Sequence, residues 1–300
     1  MTANASAEAG PDGEVRPRVV AIGGGHGLAA TLRAVRLYAD RVTAIVSVAD
    51  DGGSSGRLRK LLHIIPPGDL RTCLVALADP GSPLAEVFDY RFTEEELAGH
   101  SLGNLILAGL MAATSDPVAA LDEACRLLGA TGRVLPSTTE SVVLKAESEG
   151  GSVAGQVAVN ATDRIQRISL VPADPPAPNG AVEALAQADQ IVLGPGSLYT
   201  SVLAAAVVPG IRDGINRSSA SKVYVCNLRP QDAETAHYDV AMHVEALLAH
   251  GVSVDQVVCD SSAIDVGSVP VPVVDVPMAR PNGLAHDPSR LAATLSHLIG

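Results

Sequence analysis

The chain has 300 residues, 47% of them hydrophobic and 18% charged, a balance that buries a full core and excludes a disordered or fibrous protein. Lys and Arg number 21 against 33 Asp and Glu, a formal charge of −12, which excludes a broad, sequence-independent grip on nucleic acid but leaves room for a local basic anion site. Aromatic residues are 2% with no Trp, so neither a carbohydrate-stacking platform nor an RNA-binding sheet of displayed rings has its material, and recognition falls to backbone and small polar groups.

Residues 1–17 are rich in Ala, Glu, Gly and Asp, with no basic n-region and no apolar h-region. They read as a disordered tail rather than a signal peptide, with one domain over residues 18–300. Val19–Ile22 is a short, wholly apolar run suited to a strand covered on both faces. Gly23, Gly24, Gly25, His26 and Gly27 end it, and Leu28, Leu32, Val35 and Ala39 then recur at helical spacing. Val42–Val48 is a second buried strand, closed by a loop of glycines and hydroxyls from Ala49 to Arg57. Helices are expected over Leu70–Ala78 and Leu105–Ala113, each behind polar punctuation.

The pattern changes near residues 134–172, where Ser141–Glu147, Ser152–Val159 and Arg164–Val171 alternate polar and β-branched residues, the mark of a small antiparallel sheet inserted in the body. Ala173–Gly180 reads as a surface connection. The α/β rhythm resumes with a strand at Gln190–Leu193, a third glycine loop at Gly194, Pro195, Gly196 and Ser197, and a helix over Leu198–Val207. Strands at Lys222–Leu228 and Gln256–Cys259 flank a helix over Tyr238–His250, and Asp287 caps a last helix. The whole predicts an α/β fold built on an open, mainly parallel, Rossmann-like sheet, with the three loops at the carboxyl ends of its strands, where such sheets bind ligands.

Cys73, Cys125, Cys226 and Cys259 form no C-x-x-C pair and no zinc-ligand spacing, so buried free thiols in a reducing cytoplasm are expected. Apolar runs are broken before the ~18 to 20 residues that a membrane crossing needs. Glycines let N–H groups converge without Cβ obstruction, and a helix starting behind them adds positive charge, so phosphate is the natural guest. The Gly23 loop is neither a full dinucleotide fingerprint, since Leu28 stands at the third glycine position, nor a Walker A loop. Ser54, Ser55 and Arg57 suit a diphosphate, while Asp50 and Asp51 suit sugar or base groups or Mg²⁺, or else cap a turn. His26 is either a phosphate donor or a solvent-facing spacer, Asn104 either a reader of base or sugar or a helix cap, and Asp69 and Arg71 suit a mutual pair. No Ser/His/Asp or Cys/His set singles out a nucleophile, and no catalytic or metal-binding residue is assigned.

The segments Gly23–Leu28, Ala49–Leu58, Pro67–Arg71, Ala98–Leu105, Gly132–Pro136, Leu193–Ser201 and Cys226–Leu228 together resemble, in order, those of the YvcK family of bacterial UDP-sugar-binding regulators, over about residues 18–299. The resemblance implies a cytoplasmic protein that binds UDP-N-acetylglucosamine, of the kind called a gluconeogenesis factor and needed for cell shape and envelope synthesis on gluconeogenic carbon sources. It further implies the fold of CofD, the 2-phospho-lactate transferase of coenzyme F420 synthesis. His26 departs from the Thr of many members, and Ala233 replaces the Gly before Glu234 and Thr235. Carried over by position, the Gly23–Gly27 and Gly194–Ser197 loops would hold phosphates, Asp50, Asp51 and Asn104 would face the uridine or sugar, and His286 would reach the ligand. The expected role is that of a non-catalytic sensor with no required cofactor, acting on an enzyme of amino-sugar synthesis and assembling as a homo-oligomer. The alternative is a CofD-like, Mg²⁺-dependent transferase acting on a nucleotide-activated phospho-acid.

Overall fold

A computed structural model describes residues 16–231 and 233–299. The expected tail lies outside the described residues except for Arg16 and Pro17, and the Pro17 carbonyl already accepts from the Asp40 N–H at 2.9 Å. Apolar runs with no polar alternation make the first strands, β1 (Arg18–Gly23) and β2 (Arg41–Val46), with Val19–Ile22 and Ala44–Val46 fully buried. Between them α1 (Gly25–Val35) turns Leu28, Leu32 and Val35 inward. After α2 (Gly53–Leu62), α3 (Gly68–Leu77), α4 (Pro83–Asp89), α5 (Leu102–Thr114) and α6 (Pro117–Leu128) comes β3 (Arg133–Pro136).

A small sheet follows, made of β4 (Val143–Ser148), β5 (Gly151–Ala154), the short helix α7 (Gln156–Asn160) and β6 (Ile165–Val171). Its strands pair antiparallel in the order β5-β4-β6. In β4, Leu144 and Ala146 are buried while Lys145 and Glu147 face out, the alternation that marked it in the sequence. The chain returns through α8 (Asn179–Gln187), β7 (Gln190–Leu193), a π-helical turn at Leu198–Leu203 running into α9 (Ala204–Ala206), then α10 (Pro209–Arg217), β8 (Ser221–Val225), α11 (Val240–Ala249), β9 (Gln256–Cys259), β10 (Val273–Asp275) and α12 (Pro288–Ser296).

The large sheet has seven strands in the order β10-β9-β8-β7-β1-β2-β3, and every neighbouring pair is parallel. The chain builds outward from β1 to β3, then returns beside β1 and builds the other way from β7. The order reverses between β1 and β7, where Ile22 lies level with Leu193, and a crevice at the carboxyl ends of these two strands follows from that topology.

Four expectations need correction. Arg133–Pro136 pairs with β2 in the parallel sheet, so the insertion opens after residue 136 rather than near 134. Val157–Val159, expected in a strand, is helical. Asn179 and Gly180, expected in a connection, open α8, because the proline-rich run ends at Pro178 and apolar spacing resumes at Ala181. The helices α1 and α2 start at Gly25 and Gly53, so Gly25, His26, Gly27, Ser54, Ser55 and Arg57 sit in first and second helical turns rather than in open loops. Cys73, Cys226 and Cys259 are buried free thiols as expected, while Cys125 is half-buried. No helix among the described residues is long and apolar enough to cross a membrane.

Candidate functional site

Two chambers open side by side at the reversal point, and the exposed His26 lines both. The larger, a cavity of about 480 Å³, is lined by Gly27, Pro195, Gly196, Asn227, Arg229 and His286 among others. The smaller, about 240 Å³, gathers Asp50, Ser54, Ser55, Asp69, Arg71 and Asn104. The first N–H groups of α1 belong to Gly25, His26 and Gly27 and have no intrahelical partner. The start of a helix therefore stands between the chambers with donors and partial positive charge, as an anion site requires.

The third glycine loop lines the larger chamber with Pro195 and Gly196 and is held from within the chain. The Thr31 hydroxyl donates to the Gly194 carbonyl at 2.7 Å. Asn227 takes the Gly196 N–H on its Oδ1 and donates from Nδ2 to the Gly196 carbonyl, both at 2.9 Å. Behind it the buried Glu234 carboxylate accepts from the Tyr199 N–H, from the Thr200 N–H at 3.2 Å and from the Thr200 hydroxyl at 3.0 Å. The helical start after Ser197 is thus already capped by an anion from within the chain. A Cβ on Gly27 would stand 2.8 Å from the Gly196 Cα, so Gly27 and the Gly194–Ser197 loop approach backbone to backbone along the larger chamber. The N–H donors with no partner in the chain are those of His26 and Gly27 at the start of α1 and those of the first turn of α2, which lines the smaller chamber.

Asp50 and Asp51 part company. Asp50 lines the smaller chamber and its Oδ1 accepts from the Gly52 N–H at 2.9 Å. Asp51 turns into the insertion, where it accepts from the Gln156 and Val157 N–H groups at 3.1 and 3.0 Å and caps α7. It therefore does not share a cation or a ligand with Asp50 in this geometry. Arg57 is exposed and donates to the Ala98 carbonyl at 2.8 Å, and it does not line the smaller chamber with Ser54 and Ser55. Asp50's real neighbour is Asp69, which the sequence reading paired with Arg71. Arg71 instead forms its ion pair with Asp89 and donates to the Thr72 hydroxyl at 3.1 Å. Burial, and then the negative charge of Asp50, push the Asp69 carboxyl up to about 7, against the Gly25 N–H and Arg71, which pull it down.

Ser54, His100 and Asn104 form a buried chain. Ser54 Oγ lies 2.8 Å from His100 Nδ1, and Asn104 Nδ2 donates to Ser54 Oγ at 3.0 Å. Burial, with Arg57 and Arg91 nearby, lowers the His100 pKa and favours its neutral form. Ser101, not Asn104, is the cap of α5, so Asn104's amide is left for the chamber. In the larger chamber His286 Nε2 donates to the Cys226 carbonyl at 3.1 Å, and burial drives its pKa down to about 4. Among the described residues no group of three or more His, Cys, Asp or Glu side chains is placed to hold a metal.

Sequence comparison meets this geometry at the family level. The family model of 2-phospho-L-lactate transferase CofD matches residues 19–275. The chain belongs to the CofD family. Within this family it is 42% identical, over 92% of its length and 89% of the relative's, to a gluconeogenesis factor so named in Mycobacterium tuberculosis (strain ATCC 25618 / H37Rv). It is 45% identical to the gluconeogenesis factor of Bacillus subtilis (strain 168), over 78% and 75% of the two chains. A crystal structure of a UPF0052 family member from Bacillus halodurans superposes with a TM-score of 0.89 at 38% identity, covering 95% of this chain and all of that one. Fold and branch are therefore those of the gluconeogenesis-factor members of the CofD family.

Proposed function

We propose that the chain is a cytoplasmic UDP-N-acetylglucosamine-binding regulator, a gluconeogenesis factor that acts through a protein partner in amino-sugar and envelope-precursor synthesis rather than by turnover. The observation that carries this reading is the start of α1 between two chambers, where Gly25 N–H meets Asp69 and the N–H groups of His26 and Gly27 have no intrahelical partner, with one chamber large enough for a nucleoside and one for a sugar. The chain is acidic overall at −12, yet Arg229 lines one chamber and Arg71 and Arg91 the other, the local charge that a diphosphate needs. A sensor requires that ligand affinity differ between two states of the protein. The exposed His26, which lines both chambers, is the side chain through which occupancy of one chamber would bear on the other.

A second reading, a Mg²⁺-dependent transferase, draws support from the Asp50–Asp69 pair rather than from Asp50 and Asp51, because neighbouring carboxylates, with the Asp69 carboxyl pushed up by burial and by the Asp50 charge, are a common preparation for a cation. Isothermal titration with UDP-N-acetylglucosamine, UDP-glucose and GDP, each with and without Mg²⁺, followed by product analysis, separates the readings. Metal-independent binding of the UDP-sugar without turnover is the expected result. Mg²⁺-dependent GDP binding with product formation would replace the regulator by the transferase. Sedimentation of the same samples reports the expected homo-oligomer.

A further inference from the structure

A cavity of about 210 Å³ opens at the other end of the large sheet from the crevice, and three arginines line it, Arg18, Arg41 and Arg133. Each is the first residue of its strand, in β1, β2 and β3. The pairing puts them on one face of the sheet. Arg18 lies level with Arg41, and Thr43, two residues on from Arg41, lies level with Arg133; residues level on adjacent parallel strands, or two apart on one strand, point to the same side. Helix α8 covers this face with Gly180, Glu183, Ala184 and Gln187, which recur at helical spacing. Two of the arginines are braced. Arg18 donates from Nε and Nη2 to Asp189 at 3.1 and 2.9 Å, and Arg133 from Nε and Nη2 to Asp122 at 2.8 and 2.7 Å. Each is thus fixed along one edge and keeps Nη1 over, while the two bracing carboxylates do not line the cavity.

Arg133 Nη1 lies against Gly180, where a Cβ would stand 2.8 Å from it, so this glycine leaves room for the guanidinium beside the start of α8. Pro178 is the N-cap of that helix and supplies no side-chain acceptor, and the Asn179 and Gly180 N–H groups have no intrahelical partner. Arg41 is exposed and makes no ion pair among the described residues. Glu183 is the one carboxylate in the lining, against three guanidiniums, in a chain whose net charge is −12. We propose that this groove is an anion site separate from the crevice and that it takes a small phosphate monoester. Arg41 is its main charged contact, and Arg18 and Arg133 add their Nη1 groups. A tetrahedral dianion accepts from donors on several sides, whereas a planar carboxylate is filled by a single guanidinium fork. The volume suits a phosphate with a short organic group rather than a nucleotide. Such a site gives the chain a second input at the far end of the sheet, and it stands whether or not the crevice holds a nucleotide sugar.

The test is calorimetric titration of the wild type, Arg41→Ala, Arg41→Lys and Glu183→Gln with inorganic phosphate and with glycerol 3-phosphate, in a phosphate-free buffer above neutral pH, with thermal melting to confirm folding. Arg41→Ala should weaken both ligands at least about tenfold, the scale of a charge-assisted hydrogen bond. Arg41→Lys keeps the charge but loses the fork and should weaken them at least about threefold. Glu183→Gln removes the like charge facing the anion and should tighten both. Phosphate held at the start of α1 adds a component common to all four proteins, so the differences among them read the groove alone. Wild-type affinity in Arg41→Ala overturns the site. Wild-type affinity in Arg41→Lys reduces it to diffuse attraction by surface charge and overturns it equally, as does a wild type that binds neither ligand.

Discussion

Asp69 is the residue whose chemistry differs most from its appearance in the sequence. Two positions apart on a helix, Asp69 and Arg71 cannot face each other, and the structure sends Arg71 to Asp89 while Asp69 meets Asp50 and the start of α1. The Asp69 carboxyl is pushed up to about 7 by burial and by Asp50, so between its ordinary range and pH 7 the folded chain holds a proton that the unfolded chain has released. Its contribution to stability is present in acid and is lost as pH rises through 7. Asp69→Asn should therefore raise the melting temperature at pH 8, by a stability gain on the order of 2–4 kcal/mol, and the gain should vanish toward pH 4. The same proton bears on ligand affinity. The diphosphate of a UDP-sugar stays doubly charged across this range, so its binding to the wild type should strengthen as pH falls from 8 to 6, while Asp69→Asn should bind with a flat pH profile in titrations at each pH.

At the scale of elements, the parts that could be read from the sequence are those whose signal is local. Val19–Ile22 and Ile191–Leu193 are continuous apolar runs with glycines behind them, and they form the core of the two strands that flank the crevice. Leu144 and Ala146 alternate with Lys145 and Glu147 and so announce an exposed-face sheet. What escaped is non-local. Glu234 fills the helical start behind Ser197 from 35 and 34 positions away, and Asn227 occupies the Gly196 amide from 31, so the partners of this glycine loop carry no local signal. The three-residue β10 is too short to carry a pattern. Asp51 belongs to the same class, since its carboxylate caps α7 across more than a hundred residues of chain. Asp51→Ala should lower stability by about 1–2 kcal/mol, the scale of a lost helix cap, as read by urea denaturation, and leave UDP-sugar affinity unchanged. A large affinity loss at unaltered stability would return Asp51 to the ligand.

For the whole molecule, the buried imidazoles of His243, His250 and His286, together with that of His100 in the smaller chamber, set the response to acid. His250 accepts from the Ile168 N–H on Nε2 at 2.9 Å and donates from Nδ1 to the Ala246 carbonyl, which joins the inserted sheet to α11. His243 donates to the Asp239 carbonyl within α11, and His286 joins the last segment of the chain to the end of β8. Burial lowers these three pKa values, that of His286 to about 4, and a proton on His250 Nε2 would replace the acceptor that Ile168 requires. As pH falls below the ordinary histidine value the unfolded chain takes up protons that the folded chain refuses. Stability is full above about pH 6.5 and declines toward the folded-state values. Asp69 has the opposite sign over part of this window and blunts the decline. The melting temperature of the wild type should therefore fall from pH 7 to pH 5, and that of Asp69→Asn should fall more steeply. His250→Gln removes the titration while its side-chain amide retains both an acceptor for Ile168 and a donor for Ala246. It should flatten the acid limb in melting curves taken at half-unit pH steps, with hydrogen exchange at the Ile168 amide accelerating in acid in the wild type and not in the variant. An unchanged acid limb in His250→Gln would move the response away from the joint between the two sheets.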